Sequence, residues 1–350
     1  MNQTATFIAQ QARGRALLFG LPVDTSLVHD IAETSENLSI LQSELMRRPA
    51  QDLLTGFGPL QGLLDDETVE EIWINQPNEI RFAVGGEHRK LRVDFDSGQI
   101  EAVVERMLKS TGRRIDRSSP FVDAGMADGS RLHVVIPSIT RTHWSVNIRK
   151  FRSGSSDLGW LESVSMVSLA QAQRLRNAVY SGKSILVSGA TQAGKTTVLT
   201  ALINAIGEGQ RVITIEDTFE INSKASDVVA MQTRESTPDG APAIDMRRLV
   251  RESLRMRPSR IVVGEVRGAE ALDLLLALNS GIPGLGTIHA NSAAQALEKL
   301  SSLAMLATSG LNADFAKALV QSAVDVVVHC QIDRDSVRRV VEILEVAHGG

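Results

Sequence analysis

Apolar and polar positions fall into three regimes along the chain. Up to residue 50, Leu27, Ile31, Leu38, Leu41 and Leu45 recur at spacings that keep them on one helical face, and Pro49 ends the pattern. From 51 to 152 the rhythm becomes alternation. Residues 69–75 alternate like a half-buried strand, 80–84 run into the turn pair Gly85-Gly86, and 90–95 return. Ile100, Val103, Val104, Met107 and Leu108 then make an apolar helical face that Gly112 stops, and 132–136 and 144–148 read as further strands. This predicts a small α/β domain over 51–152, preceded by an N-terminal helical segment over 1–50.

The polar run Arg152-Ser153-Gly154-Ser155-Ser156 opens a linker, taken as 153–165. From 166 to 350 apolar strands alternate with helices. The strands are 185–188, 212–215, 261–263 and 286–289, and helices such as 196–206 and 269–279 fall between them. That order predicts a mainly parallel sheet with helices on both faces. Two last strands, 326–330 and 340–346, flank the turn-rich 333–336 and predict an edge hairpin.

Composition narrows the class. With 350 residues and 43% hydrophobic content the chain can build two cores. A net charge of −4 gives no support to nucleic-acid binding. The single cysteine, Cys330, excludes an internal disulfide and fits a reducing compartment; it closes the apolar run 326–330 and reads as a buried strand residue. No apolar stretch reaches the length of a membrane span, and the first residues lack a secretory signal's charged start and apolar core. The expectation is a cytoplasmic protein that a partner could hold at a membrane.

The chemistry begins at Gly189-Ala190-Thr191-Gln192-Ala193-Gly194-Lys195-Thr196, a G-x-x-x-x-G-K-T pattern between a predicted strand and a predicted helix. Glycines there let backbone N–H groups turn inward onto phosphate oxygens, and the helix start adds partial positive charge. Lys195 supplies a full charge for the β- and γ-phosphates of ATP, and Thr196 a hydroxyl for Mg²⁺. Hydrolysis needs carboxylates as well. The apolar strand 260–264 ends in Glu265, with Gly264 where many phosphate-loop enzymes carry Asp, so Glu265 would have to reach the metal shell or the water itself. A second apolar strand ends in Glu216-Asp217, and a third in His289, a sensor or water-positioning candidate. Arg247, Arg251 and Arg255 recur every four residues; such a run is either a solvated face or a source of charge for a γ-phosphate.

Taken together these blocks resemble the type II/type IV secretion-system ATPase superfamily, most closely its Tad (tight adherence) pilus branch of CpaF-like proteins. The resemblance covers about residues 55–347. It rests on the loop 189–197, which ends in Thr197, and on Ile215-Glu216-Asp217-Thr218-Phe219-Glu220, which looks like the family's Asp box. It also rests on 254–268, which looks like its Walker B block, and Thr287-Ile288-His289-Ala290-Asn291-Ser292, its His box. Pro120-Phe121-Val122-Asp123, Asp128-Gly129-Ser130-Arg131 and Ile148-Arg149-Lys150-Phe151 carry it in the smaller domain.

The resemblance implies a RecA-like motor domain behind an N-terminal α/β domain, a hexameric ring docked on an inner-membrane platform, and ATP turnover that extrudes pilin or secreted substrate. It implies that Arg131 and Arg149 reach the γ-phosphate, that Glu216 activates or orients water, and that Glu265 acts through the Mg²⁺ shell. Arg113 and Arg234 are weaker carry-overs. The chain departs from the family at Ser280-Gly281-Ile282-Pro283-Gly284, where Thr-Gly-His is frequent, and at Ser259, where Asp is common. A small-molecule kinase, a nucleotide-binding assembly component that does not turn over, and a DNA-translocating motor are the competing classes; charge argues against the last.

Overall fold

The computed structural model describes residues 56–150, 157–236, 240–308, 310–333 and 337–347. The apolar stripe before residue 50, the run 152–156 and the hairpin tip 334–336 lie outside the described residues. The chain divides into two compact units, Met1–Arg152 and Ser153–Gly350.

In the first unit a 3-10 turn, Gly58–Leu60, runs into helix α1 (Gln61–Asp65). Strands β1 (Val69–Gln76), β2 (Glu79–Val84) and β3 (Glu87–Arg92) follow. Only Gly85 and Gly86 separate β2 from β3. Their φ angles of 60° and 80° explain why glycines stand in this two-residue hairpin turn. Helix α2 (Ser97–Lys109) starts in a capping box: the Asp96 side chain accepts from the Gln99 N–H while the Gln99 side chain accepts from the Asp96 N–H. Strands β4 (Phe121–Gly125), β5 (Arg131–Val135) and β6 (Ser145–Arg149) complete an antiparallel sheet of order β3-β2-β1-β6-β5-β4. The apolar face of α2 packs with Val69, Ile72, Ile80, Leu132 and Ile148 in one core, so the strands alternate as expected of a sheet covered on one side. The edge strand β4 buries only Val122 and Ala124, too little pattern to be read from sequence.

The second unit opens with α3 (Leu158–Ser163) and α4 (Leu169–Tyr180). Then come β7 (Ile185–Gly189), α5 (Lys195–Asn204), β8 (Arg211–Glu216), β9 (Asp227–Gln232), α6 (Met246–Ser253), β10 (Arg260–Val263) and α7 (Glu270–Asn279). The unit continues through β11 (Gly284–His289), α8 (Ala293–Met305), α9 (Ala313–Ala323), β12 (Val326–Ile332) and β13 (Arg338–Glu345). The sheet order is β13-β12-β7-β11-β10-β8-β9. Every pairing is parallel except the edge hairpin of β12 and β13.

Buried on both faces, the central strands read as continuous apolar runs. Ile185, Val187, Val212 and Val262 join a core with α3, α4 and α5, whereas Leu186, Ile213, Ile215, Ile261 and Val263 join one with α6 to α9. The fold is mixed α/β of the RecA-like type, as the resemblance implies. One segment departs from the reading: α3 occupies residues taken as linker. Asp157 caps it, accepting from the Trp160 N–H, and Leu158 and Leu161 bury themselves in the core. Two buried residues in six leave too faint a period to detect.

Candidate active site

A parallel sheet sends all its carboxyl ends to one edge. Here that edge gathers four polar strand ends from β7, β8, β10 and β11. The register is level: Gly189 pairs with His289, Val263 with Gly286, and Val263 with Ile215. Gly189, Glu216, Glu265 and His289 therefore come to one place, as read from sequence.

The loop 189–194 leads from β7 into α5, whose first residue is Lys195. Three of its positions have positive φ: Gly189 at 153°, Gln192 at 63° and Gly194 at 88°. A side chain at Gly189 would strike the Cys330 carbonyl, and one at Gly194 would lie 2.6 Å from the Met166 methyl. Gly189 is thus required by close approach to backbone, and Gly194 by its left-handed φ, since the Met166 methyl is the movable end of a flexible side chain. Cys330 itself is buried in β12, as expected, and burial pushes its thiol up to about 12. Lys195 is 7% exposed. Its ammonium donates to the Ala190 carbonyl at 2.8 Å and to His289 Nδ1 at 3.2 Å. The Thr196 and Thr197 side chains follow at the helix start, half-buried.

His289 links the loop to the acids. With Nδ1 facing the Lys195 ammonium, Nε2 lies 2.9 Å from Glu265 Oε1, a close contact rather than an aligned hydrogen bond. Burial, reinforced by the Lys195 charge, holds the imidazole below its ordinary pKa, so at neutral pH it is a neutral bridge. Glu265 Oε2 accepts from Arg267 at 2.7 Å, and Arg267 also reaches Asp217 at 3.6 Å. Burial pushes the Glu265 carboxyl up. The Arg267 hydrogen bond and charge, with His289 and Lys195, outweigh it and hold the group below the usual range. The backbone around Glu265 is pinned as well: Thr287 Oγ1 donates to the Gly264 carbonyl at 2.6 Å, and the Val266 N–H to the Thr287 carbonyl at 2.8 Å.

Glu216 behaves differently. It is 3% exposed. Its Oε1 accepts from the Glu220 and Ile221 N–H groups at 2.9 Å each, while Oε2 is buried with no partner among the described residues. Burial raises its carboxyl to about 7 against those two hydrogen bonds. The same side chain accounts for Gly264. A Cβ there would sit 3.0 Å from Glu216 Cγ, so the glutamate of β8 fills the space an Asp before Glu265 would need. A pocket of about 500 Å³ lies beside Ala190 and His289, walled by Gln295, Glu298, Lys299 and Ser302, the last four from α8.

Arg131 and Arg149 belong to the first unit, where they are directly paired across β5 and β6 on one face; Asp123 lies 3.3 Å from Arg131. Arg113 follows α2, and Arg234 bridges to Ile244 and donates to the Pro242 carbonyl. The arginine run does not form one helical face. Arg247 and Arg251 on α6 both donate to Asp273, at 2.6 and 2.7 Å, while Arg255 falls in a 3-10 turn after α6 and pairs with Glu252. The helix stops because Arg257 is left-handed at φ 55° and Pro258 follows. Arg267 is the residue the sequence reading left without a role. Its signal was its place two residues beyond a strand-end glutamate.

Residues 54–343 match the model of a family described as Type II/IV secretion system protein. A putative conjugal transfer protein of Mycobacterium tuberculosis is 34% identical over 89% of this chain and 88% of its own length. The type IV secretion system protein VirB11 of Bartonella henselae is 28% identical over 85% and 93%. Among solved structures, the ATPase DotB of Legionella pneumophila shares the fold at a TM-score of 0.57 and 17% identity, covering 82% of this chain and 80% of that one. The chain belongs to the type II/IV secretion system protein family, and its nucleotide-loop motif lies at the carboxyl edge of the RecA-like sheet.

Proposed function

We propose that this protein hydrolyses ATP to ADP and phosphate and uses the turnover to drive a pilus or secretion machine. The observation that carries this is the unbroken contact series Lys195–His289–Glu265–Arg267. It joins a phosphate-loop ammonium to a strand-end carboxylate held ionised.

The loop 189–197 is suited to a triphosphate because glycine at two of its three positive-φ positions, Gly189 and Gly194, lets the backbone curl so that N–H groups can face phosphate oxygens. Lys195 neutralises β- and γ-phosphate charge as it lets go of the Ala190 carbonyl. The Thr196 hydroxyl and the Glu265 carboxylate are the groups that would hold Mg²⁺. This donor set is all oxygen, as that ion requires. Bound there, the ion would screen the charge that develops on the phosphates. Glu216, whose Oε2 is buried with no partner among the described residues, is the group we assign to accept a proton from an attacking water or to orient it. His289 holds its neutral ring between the ammonium and the acid and reports whether Lys195 has moved. Arg131 and Arg149 stay assigned to the γ-phosphate on resemblance alone.

The motif set supports a Tad-type pilus, and the relatives' names support conjugal or type IV transfer. Both agree with a homo-oligomeric ring, hexameric by resemblance, at the cytoplasmic face of an inner-membrane platform. No helix among the described residues is long and apolar enough to cross a membrane. Phosphate release tests the reading. The parent is expected to release free phosphate from Mg·ATP, and Lys195→Ala to lose that activity with its fold retained. Phosphate transferred to an acceptor would make the protein a kinase, and equal turnover in both proteins would refute the site.

A further inference from the structure

We propose that Arg338, on the edge strand β13, is a positioning residue that sets the conformation of the phosphate loop. The inference rests on the nucleotide-site reading and adds a residue to it. Gln192, at the tip of the loop, is left-handed with φ 63°, a conformation that strains a non-glycine residue. Something must hold it. Arg338, 146 residues further along the chain, donates its Nε–H to the Gln192 carbonyl at 2.9 Å. Its Cδ also comes within 3.4 Å of the point where a Cβ on Gly194 would stand.

A trans peptide points its C=O and its N–H in opposite directions. By drawing the Gln192 carbonyl outward, Arg338 turns the Ala193 N–H inward. There it meets the Ala190 carbonyl at 3.3 Å, the same oxygen that accepts from Lys195. The turn over 190–193 in the phosphate loop is therefore braced from outside the loop. The guanidinium also brings a fixed positive charge next to a site meant for anions.

Strand β13 is itself anchored to the segment before α4. The Val340 N–H donates to the Met166 carbonyl at 2.8 Å, and Arg339 donates to the Ser165 carbonyl. Arg339 supplies an internal control. It is exposed like Arg338 and sits beside it, but its hydrogen bonds among the described residues go to Asp333 and Ser165 rather than to the loop.

Equilibrium titration of the full chain with Mg·ADP and Mg·ATP, together with steady-state kinetics, tests the inference. Arg338→Ala is expected to weaken both nucleotides and raise KM by roughly tenfold, the scale of one charge-assisted hydrogen bond, with kcat at saturation nearly kept. Arg338→Lys should recover part of the affinity. Arg339→Ala should bind like the parent, and the melting temperatures without nucleotide should agree. Parent-like affinity in Arg338→Ala overturns the proposal, and so do equal losses in Arg338→Ala and Arg339→Ala. A parent that binds no nucleotide overturns the underlying site reading instead, and this inference falls with it.

Discussion

The carboxyl ends of β8 and β10 are adjacent, and each presents a glutamate, Glu216 buried and Glu265 half-buried, but the two environments act in opposite directions. Glu265 has Arg267 on one oxygen and the His289 ring by the other, with Lys195 behind it, and its carboxyl is held low. Glu216 has two backbone N–H groups on one oxygen, no partner among the described residues on the other, and a carboxyl raised to about 7. Burial is common to both, so the cation decides the difference. Two carboxyls whose proton affinities are pushed apart can divide the labour, one as a fixed charge and one as a proton acceptor near neutral pH.

The comparison breaks most visibly at Glu265. Glu265→Gln removes the fixed charge and is expected to lower kcat on the order of a thousandfold, measured as phosphate release, with nucleotide still bound. An unchanged rate would end the assignment. Glu216→Gln is expected to cut kcat by roughly a hundredfold, the scale of one general base.

The same Glu216 substitution should change stability in the other direction. The unfolded Glu216 loses its proton near 4.5 and the folded one near 7. Between those values the native state holds the extra proton. The associated stability is complete below pH 4.5 and is lost as pH rises to about 7, a swing of about 3 kcal/mol. Gln keeps the two backbone hydrogen bonds and carries no charge. Urea melts at pH 5 and pH 8 should show the parent losing more stability than Glu216→Gln. An identical pH slope would mean that Glu216 titrates normally. The mildest change is Gly264→Ala. Its Cβ would crowd Glu216 Cγ at 3.0 Å. A loss of about 1 kcal/mol is expected, with a several-fold drop in kcat and unchanged affinity, read from melts and kinetics.

Much of this site was legible because its signals are local. The glycine spacing at 189–194 encodes a backbone shape, and an apolar run that stops at a polar residue marks the end of a parallel strand, which yielded Glu216, Glu265 and His289. Helix α4 carried a local signal too, Ser168 capping with Gln171 three residues on, ahead of Ala172, Leu175 and Val179. Other features could not be read. Strand β9 is half-exposed at the sheet edge and has no clean period. Arg247 and Arg251 meet Asp273 through packing between α6 and α7, and Arg338 meets Gln192 across the edge of the sheet. Gly264 looks like a missing acid until the neighbouring strand is seen to supply one.

The most direct test of the central claim is an equilibrium titration of the oligomer-competent protein and its Lys195→Ala variant with Mg·ATP. Saturable binding by the parent that the variant loses is the expected result. Binding of equal strength in both, or none in either, would contradict the account.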